Sequence, residues 1–451
     1  MARIIRQTLV SFRDLMATFG PFVLLAIVLL VATYYILDPA PPKRVVLATG
    51  PAQSDYAIFG ERYAEELKPY GIEVVLRTTS GSNENQRLLL DEREDIDLAF
   101  MRGGANEAIL KADEEEGDWE IESLGSLFYE PIWIFYRESA ARRLPGGRME
   151  NLAQMRGWRV AIGAGGSGVP NLLIKLFHAN KLSIDSMRLD RQSPSEAVAA
   201  FVQGKIDAVI LASAPESPLV QMLLQTPGVR LFEFNQAEAY SRRFPYLIPV
   251  TLPRGMVDFA RDMPPRDVPL LASSGMLVAR EDTHPAVVQL FVQAATRIHG
   301  GNGWFVKKGQ FPNANHAELP LAPEAERFYK NGVPFLQQHL PFWLSNLIDR
   351  MWVALFSIIA VLIPLSRVVP PLYAFRIRSR IFRWYQVLRE IEDDLTENVV
   401  PRGELMDRVD RLEARAEEIS VPLAYTDQLY ALRSHIQMVR ERLRQMPLPK
   451  A

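Results

Sequence analysis

The chain has 451 residues, of which 48% are apolar and 23% are charged, and its formal net charge is only −2. This composition is that of a globular protein long enough for two to four structural units. The near-neutral balance provides no basic field for nucleic acid, so we expect no nucleic-acid partner. Because cysteine is absent, thiolate catalysis, a zinc ribbon and a disulfide framework are all excluded.

A long uncharged segment lies near the N-terminus. Its 23 residues, Leu15–Leu37, would span about 35 Å as a helix, enough for a hydrocarbon core of about 30 Å. A cleaved signal peptide is the competing interpretation, but its apolar region is usually shorter and ends in small residues. Here the segment ends in Thr33–Leu37, with two tyrosines. We therefore predict a transmembrane helix over residues 15–37.

A second apolar segment, Met351–Ser366, has only 16 uncharged residues. It needs its neighbours to cross a bilayer, so the predicted second transmembrane helix extends over residues 347–369. A buried amphipathic helix is the alternative. Its apolar residues would lie on one face, whereas here they occur all round.

Arginine near the two segments indicates their orientation, because cytoplasmic flanks carry an excess of Lys and Arg. We predict that residues 1–14 and a tail over residues 376–446 are cytoplasmic, and that everything from about Asp38 to Arg350 lies outside. In a bacterium this is a two-pass inner-membrane protein with a periplasmic domain and both termini in the cytoplasm. The arginines are Arg3, Arg6 and Arg13, then Arg367, Arg376, Arg378, Arg380 and Arg383.

The extracytoplasmic part alternates between strand and helix patterns, an order typical of a parallel sheet covered by helices. Strands are predicted at Arg44–Thr49, Glu73–Thr78 and Ile96–Phe100, with helices at Tyr56–Leu67 and Asn83–Asp91. The same order recurs further on. The second set has strands at Arg159–Ile162, Met187–Leu189 and Ile206–Leu211 and helices at Asn171–Ala179 and Glu196–Gln203.

Three pairs of landmarks keep the two stretches in register. Two glycines end the first strands and two serines open the second helices, each pair 113 positions apart, and two Ile-Asp pairs differ by 110. The sequence therefore predicts an α/β fold with two similar lobes and a cleft between them. The landmarks are Gly50 and Gly163, Ser82 and Ser195, and Ile96-Asp97 and Ile206-Asp207.

In each lobe a glycine-bearing loop follows the first strand and leads into a helix. Open α/β sheets place their ligands at this end of the strands, and these loops are Gly50–Asp55 and Gly163–Gly168. Backbone N–H groups at helix N-termini favour anions, so a carboxylate is the natural ligand, with further donors from Ser80, Ser82 and Asn85. Ser82 also fits the simpler pattern of a helix N-cap, and both interpretations stay open.

Several segments resemble the TAXI branch of solute-binding proteins, which serve tripartite ATP-independent periplasmic (TRAP) transporters. The likeness covers about residues 44–320. It rests on Ala48-Thr49-Gly50 with Tyr56, Ser80–Asn85 with Leu88-Leu89, Ile96–Ala99 with Gly103-Gly104, Tyr129–Trp133, Arg159–Gly163 with Gly166–Gly168, and Gly204–Ala208.

The resemblance implies a two-lobed, type II periplasmic binding protein whose lobes close on a small carboxylate such as an amino acid or organic acid. It implies that the chain crosses between the lobes near Trp133–Tyr136 and Ser273–Val278. Lobe I would then comprise residues 43–136 and 273–340, and lobe II residues 137–272.

The resemblance also implies a set of ligand contacts. The first loop departs from the family pattern, because Pro51–Asp55 is bulkier and carries an acid where a glycine-rich run is usual. Tyr56, on the first predicted helical turn, either lines the cleft or packs in the core. The contacts that carry over are Thr49, Gly50, Tyr56, Ser80, Ser82, Asn85, Ser167 and Gly168.

Most members of this branch are secreted or lipid-anchored, whereas this chain resembles a subset with two membrane helices and a cytoplasmic tail. Pro341–Leu344 and Ile377–Arg380 carry that likeness. A domain tethered at two points cannot diffuse. It would either deliver solute to a TRAP permease beside it or report ligand binding across the membrane.

The predicted tail is highly charged, and apolar residues recur at helical spacing on both sides of Pro401. We expect a helical hairpin. The stripe is short and interrupted by Pro401 and Pro422, so a coiled coil and self-association stay open as alternatives. Arginines nearest the bilayer would contact anionic lipid.

Enzymatic alternatives find little support in the sequence. Gly163–Gly168 fits G-x-G-x-x-G, but this motif alone is weak, Pro170 follows it, and an extracytoplasmic site would meet little nucleotide. A nucleophile elbow fails because Val169 holds its last position. The six histidines show no metal-ligand spacing. We therefore expect neither an enzyme nor a cofactor nor a metal.

Overall fold

The computed structural model describes residues 2–52, 54–104, 120–315, 319–397, 400–418, 421 and 425–445. Gln53 of the predicted first loop and Pro422 of the predicted tail lie outside the described residues. The chain forms two compact units, one made of Met1–Pro39 with Leu347–Ala451 and the other of Ala40–Asn346.

Helices account for much of the described chain. Residues 44–331 alternate strands with helices, and the described residues on either side of this range are mostly helical. The helices are α1 (Ala2–Leu37), α2 (Asp55–Leu67), α3 (Ser82–Leu90), α4 (Glu138–Ala141), α5 (Val169–Ala179), α6 (Pro194–Val202), α7 (Pro218–Leu224), α8 (Ala237–Arg243), α9 (Pro285–His299), α10 (Pro323–Asn331), α11 (Phe342–Glu397), α12 (Arg402–Glu418) and α13 (Thr426–Gln445).

The unit Ala40–Asn346 is built on a mixed β-sheet. Its strands are β1 (Arg44–Ala48), β2 (Glu73–Arg77), β3 (Leu98–Arg102), β4 (Ile121–Arg137), β5 (Arg159–Ala161), β6 (Arg188–Asp190), β7 (Ala208–Ala212), β8 (Val229–Leu231), β9 (Ile248–Leu252) and β10 (Val268–Arg280). They are ordered β2-β1-β3-β10-β4-β7-β5-β6, with β8 beside β4 and β9 beside β10.

The sheet divides into two lobes with the same strand order. Lobe I has the order β2-β1-β3-β10-β4, and lobe II has β6-β5-β7-β4-β8. In each lobe the first three strands are parallel and the fourth is antiparallel and continues into the other lobe. This is the two-lobed type II periplasmic binding protein fold, so the predicted fold class is confirmed.

Two long strands connect the lobes. β4 pairs with β10 as far as Pro131 and with β7 from Ile132 onward, while β10 changes partner from β9 to β4 at Ala272. Both changes of partner lie next to the segments that the resemblance implied. The residue limits given above for the two lobes stay a prediction.

The lobes repeat a hydrogen bond at equivalent positions. The Oδ2 atom of Asp97, before β3, accepts from the backbone N–H of Val46 at 2.7 Å. The Oδ2 atom of Asp207, before β7, accepts from the backbone N–H of Arg159 at 2.8 Å. Val46 and Arg159 are 113 positions apart, the same spacing as the two loop glycines. This shared contact supports the internal repeat.

Each lobe has its own apolar core. In lobe I the ring of Tyr63 stacks on Phe291, with 5.4 Å between the ring centroids. In lobe II the ring of the fully buried Trp133 stacks on Phe135, with 6.2 Å between the ring centroids. Separate cores leave the long strands as the main link between the lobes, an arrangement that suits hinge motion.

The two predicted helix-opening serines do not cap their helices. The N-cap of α3 is Gly81, with a φ of 122° that glycine adopts readily, and Ser82 is the first residue inside the helix. The N-cap of α6 is Ser193, which forms a capping box with Glu196, so Ser195 lies within the helix. The N-cap interpretation of Ser82 is wrong because a sequence pattern locates a helix end only to within one or two residues.

Both apolar segments are helical. Helices α1 and α11 each contain a window long and apolar enough to cross a membrane, and at most 6% of either window is buried. A helix buried in a protein core, the alternative for the second segment, does not fit that exposure. Arg350 Nη1 donates to the carbonyl oxygens of Leu37, at 3.4 Å, and Asp38, at 3.0 Å, and so satisfies acceptors left open at the end of α1.

The C-terminal region is a helical bundle and not a hairpin. Helix α11 continues without a break to Glu397, so its last part packs with α12 and α13 around a shared apolar core. The predicted hairpin has two helices, but three are present, because the helix after Pro401 ends at Glu418 and a further helix begins at Thr426. The core includes Ile377, Ile381, Leu388 and Ile391 of α11, Leu405, Val409, Leu412 and Ala416 of α12, and Leu429, Leu432, Ile436, Val439 and Leu443 of α13.

Candidate functional site

A cavity of about 90 Å³ lies between the lobes. Its walls are the carboxyl ends of parallel strands and the loops that follow them, where open α/β sheets bind ligands. One water molecule needs about 10–15 Å³ of such space, so the cavity can hold several. Its lining residues are Pro51, Ala52, Ser54, Asp55, Tyr56, Ser80 and Arg102 of lobe I, and Gly163, Ser167, Val169, Pro194, Ser195, Ile210, Leu211, Ala212, Ser213, Ser217 and Leu219 of lobe II.

The glycine-bearing loop of lobe II packs directly against the loop between β2 and α3 of lobe I. A Cβ atom added to Gly166 would clash with the side chain of Ser80, and one added to Gly81 would lie 3.0 Å from the Cα atom of Ser167. Larger residues at these glycines would hold the loops apart. Closure of the cleft therefore depends on a close approach of backbone from both lobes.

Three of the predicted ligand contacts, Tyr56, Ser80 and Ser167, line the cavity. The ring of Tyr56 also stacks on Phe100, with 5.1 Å between the centroids, and its hydroxyl lies 3.5 Å from Ser82 Oγ. Tyr56 thus lines the cleft and packs in the core at once. The Oγ atom of Ser167 donates to a carbonyl oxygen of its own loop at 2.7 Å.

The remaining predicted contacts lie in the same region without lining the cavity. Asn85 is fully buried, and its Nδ2 group donates to the carbonyl oxygens of Thr49, at 2.6 Å, and Phe100, at 2.7 Å, while its Oδ1 atom accepts from Thr79 Oγ1 at 2.6 Å. Both amide hydrogens are therefore used to join the ends of β1 and β3. The residues in this group are Thr49, Gly50, Ser82, Asn85 and Gly168.

Sequence reasoning missed Arg102, at the carboxyl end of β3. Its guanidinium is buried, lines the cavity and forms an ion pair with Glu130 of β4, which is fully buried. Arg102 Nη2 donates to the carbonyl oxygen of Ala212 at 2.6 Å, and Nη1 donates to that of Ser167 at 3.4 Å. Both acceptors belong to lobe II, so Arg102 joins the lobes.

Asp55 is a second buried charge at the cavity. Its Oδ1 atom accepts from the backbone N–H of Tyr56 at 3.0 Å, and its Oδ2 atom accepts from the backbone N–H of Ala214 at 2.6 Å. Ala214 follows β7, so this bond also crosses between the lobes. The sequence analysis noted Asp55 only as an acid that departs from the pattern of the family's first loop, and it did not predict this contact.

Burial dominates the electrostatics of this cluster. It raises the pKa of the Glu130 carboxyl to about 7, although the Arg102 charge opposes the change. Burial also raises the pKa of Asp55, against the N–H of Ala214. Burial lowers the pKa of Arg102, but the Glu130 carboxylate and other neighbours raise it by more. The net pKa is above the ordinary value for arginine, so the guanidinium stays charged. The net charge of the cavity therefore depends on its two acids.

One sequence signal would have identified the ion pair. Arg102 ends the apolar run Leu98–Met101, and Glu130 interrupts the apolar run Leu127–Trp133. A charge within a buried strand is costly unless it is paired. Opposite charges in two such strands therefore predict that the two side chains form an ion pair.

Metal ligands are not assembled at the cavity. Among the residues that the structure describes, no group of three or more His, Cys, Asp or Glu side chains is placed to hold an ion. The polar groups at the cavity are hydroxyls, backbone groups and buried charges, a set suited to noncovalent binding of a small polar molecule.

The family to which the chain belongs is shown by a match over both lobes. The family model described as the NMT1-like family matches residues 47–331, more than half of the chain. The chain belongs to the NMT1-like family. The matched range includes every residue that lines the cavity of this NMT1-like protein. A comparison with curated proteins finds no match.

Several solved structures are similar at low identity. The alkanesulfonate-binding protein SsuA from Xanthomonas axonopodis pv. citri, bound to MOPS, is 17% identical with a TM-score of 0.36, over 57% of this chain and 74% of that chain. The periplasmic aliphatic sulphonate binding protein SsuA from Escherichia coli is 15% identical with a TM-score of 0.35, over 71% and 83%. The CcmR regulatory domain of Synechocystis in complex with 2-PG is 15% identical with a TM-score of 0.36, over 57% and 97%.

Proposed function

We propose that this NMT1-like protein is a membrane-tethered solute-binding protein that captures a small carboxylate, an amino acid or an organic acid, between its lobes. The observation that carries the proposal is the buried guanidinium of Arg102 at the cavity wall. Guanidinium groups bind carboxylates through two parallel N–H donors. The terminal nitrogens of Arg102 are occupied by the carbonyl oxygens of Ser167 and Ala212, which a carboxylate can replace.

The contacts that the resemblance implied supplement Arg102 in this proposal. Tyr56, Ser80 and Ser167 would touch the ligand, because they line the cavity. The others would shape the wall behind them. That supporting set is Thr49, Gly50, Ser82, Asn85 and Gly168.

Calorimetry of the full chain in detergent micelles tests this function. Acetate, pyruvate, glutamate, glutarate and 2-oxoglutarate are the probes, and at least one should bind saturably to a single site. Arg102→Gln should abolish that binding. Arg297→Gln is the control, because Arg297 is half-exposed and pairs with Glu66 on the surface of lobe I. An equal loss of binding in this variant would show that the loss is not specific to Arg102. No binding by any probe contradicts the proposed function.

The same proposal includes a bacterial inner-membrane topology with residues 15–37 and 347–369 as the spans and both termini cytoplasmic. The apolar windows of α1 and α11 and their arginine-rich flanks support it. Since the chain has no cysteine, single cysteines report location directly. Asp207→Cys should react with an impermeant maleimide in spheroplasts, whereas Tyr430→Cys should react only after lysis. The reverse pattern would contradict the topology.

We assign the protein to delivery of solute to a TRAP permease, as the likeness to the TAXI branch implies. A transmembrane sensor or scaffold is the second candidate, and one observation favours it: the C-terminal helices form a bundle with its own apolar core, more than a tether requires. Deletion of residues 376–451 separates the two. Uptake that survives the deletion supports delivery, whereas a lost downstream response with binding intact supports signalling.

A further inference from the structure

The cavity wall and the residue directly behind it hold more buried acids than buried bases. Asp55 and Arg102 line the cavity, and Glu130 is paired with Arg102 behind the wall. All three are at most 5% exposed, so full ionisation sets two carboxylates against one guanidinium. A carboxylate ligand would add a third anion to the same guanidinium. Burying an uncompensated charge is costly. The cavity therefore accepts an anion readily only when one of its own acids is neutral.

We propose that a carboxylate ligand binds at Arg102 together with one proton, which Glu130 takes up from solvent. The ligand stays ionised, the Glu130 carboxylate becomes a carboxylic acid, and no covalent bond to the ligand forms or breaks. This inference rests on the proposed function, because it assumes an anionic ligand in the cleft.

The hydrogen bonds identify Glu130, and not Asp55, as the proton acceptor. Both carboxylate oxygens of Asp55 accept backbone N–H groups, which favour the charged form. Glu130 Oε2 is paired with Arg102 Nε, whereas Glu130 Oε1 has no hydrogen-bond partner within the described part of the chain. Oε1 is therefore the atom that can take a proton while Oε2 keeps its contact with Arg102.

The groups around Glu130 explain how the ligand acts on it. Arg102 of β3 and a hydrogen bond from the Tyr56 hydroxyl of α2 favour the charged form of Glu130, whereas the negative charge of Asp55 opposes it. Strand β10 brings Ser273–Gly275 beside it, and none of these three residues titrates. A ligand carboxylate at Arg102 therefore adds negative charge to a site where Arg102 provides the compensating positive charge, and this raises the proton affinity of Glu130.

The sign of the pH dependence follows from linkage. The complex holds more protons than the free protein, so raising the pH weakens binding. Burial already raises the pKa of Glu130 to about 7 in the free protein. Well below that pH the acid is neutral before binding, and the Kd should be constant. Above it, the Kd should rise by up to about tenfold per pH unit, the limit for one proton.

The experiment is calorimetry of the full chain in detergent micelles with the same acid probes, from pH 6.5 to 8.5, where they are fully ionised. At pH 8 the observed enthalpy should differ between phosphate and Tris in proportion to their ionisation enthalpies, which corresponds to uptake of about one proton per ligand. Glu130→Gln should remove both the buffer dependence and the pH dependence. Glu122→Gln lies on the same strand, but its charged neighbours are Glu281 and Glu324 and not Arg102, so this variant should retain both.

Each outcome decides the inference. Saturable binding without proton uptake, or with proton release, overturns it and leaves the proposed function standing. No binding by any probe overturns both. If Glu130→Gln does not fold, the buffer dependence of the unmodified chain decides the matter alone. A pH dependence that persists unchanged in a folded Glu130→Gln variant assigns the proton to another group and contradicts the inference.

Discussion

The carboxylate of Asp55 in lobe I accepts a hydrogen bond from the backbone N–H of Ala214 in lobe II, with 2.6 Å between Oδ2 and N. Both groups are buried, so no water competes for the bond once the lobes have closed. Together with the bonds from Arg102 to Ser167 and Ala212, it joins the two lobes across the cleft.

Asp55→Ala should favour the open form. The change leaves the N–H of Ala214 without its acceptor in the closed cleft, at a cost of about 1–3 kcal/mol. Small-angle X-ray scattering of residues 40–346 should show a larger radius of gyration than for the unmodified fragment. Asp55→Asn should have a smaller effect, because its amide oxygen can still accept one of the two backbone N–H groups that Asp55 binds. Equal radii for Asp55→Ala and the unmodified fragment would contradict an interlobe role for Asp55.

Gly166→Ala should weaken ligand binding by about tenfold or more, because its Cβ atom would clash with the side chain of Ser80 in the opposite lobe. Gly165→Ala is the matched control, since an added Cβ atom there meets nothing within 4 Å. Calorimetry with a bound acid probe measures the difference. The thermal unfolding of both variants should stay close to that of the unmodified protein. Similar losses of affinity in the two variants would argue against contact between these loops.

His299 should make the lobed unit less stable in mild acid. It is buried against Phe59 and Phe128, and burial lowers its pKa to about 3. An unfolded histidine titrates near pH 6.5, so below that pH only the unfolded state takes up this proton. Its contribution to the free energy of unfolding should fall by up to about 1.4 kcal/mol per pH unit between about pH 6 and 4.

Urea unfolding of residues 40–346 at pH 7.5, 6 and 5 measures this contribution. His299→Phe should reduce the loss of stability on acidification relative to the unmodified fragment. Replacing the exposed His178 with Gln should leave the loss unchanged. A pH dependence identical in all three proteins would exclude His299 as its source.

Leu432→Ala should loosen the C-terminal bundle and leave the lobes intact. Leu432 is fully buried in the core of the bundle, and such truncations cost about 2–5 kcal/mol. Limited proteolysis of the full chain should cut residues 402–445 faster, with no change in acid binding. Tyr430→Ala is the control, because that side chain is 65% exposed. Equal protease resistance in both variants would contradict the packed bundle.

Local patterns in the sequence predicted the elements but not the contacts between them. Short apolar runs located β1, β5 and β7, and the glycines after the first strands located both loops. The pairing of Arg102 with Glu130 brings together positions 28 apart, and that with Ala212 positions 110 apart. Such pairs depend on strand order, which no local pattern specifies. Asn85 is a second example. Its amide side chain suggested a hydrogen-bond donor to the ligand, but in the fold both amide hydrogens bind backbone carbonyl oxygens.

The carbonyl groups of Ser167 and Ala212 already occupy the guanidinium of Arg102. The proposed carboxylate ligand must therefore displace these backbone acceptors before it can bind the guanidinium. Its net gain is the difference between two sets of hydrogen bonds, and not the whole of one set. In the proposed function this exchange weakens ligand binding and speeds ligand release, because the two carbonyl groups bind Arg102 again when the ligand leaves.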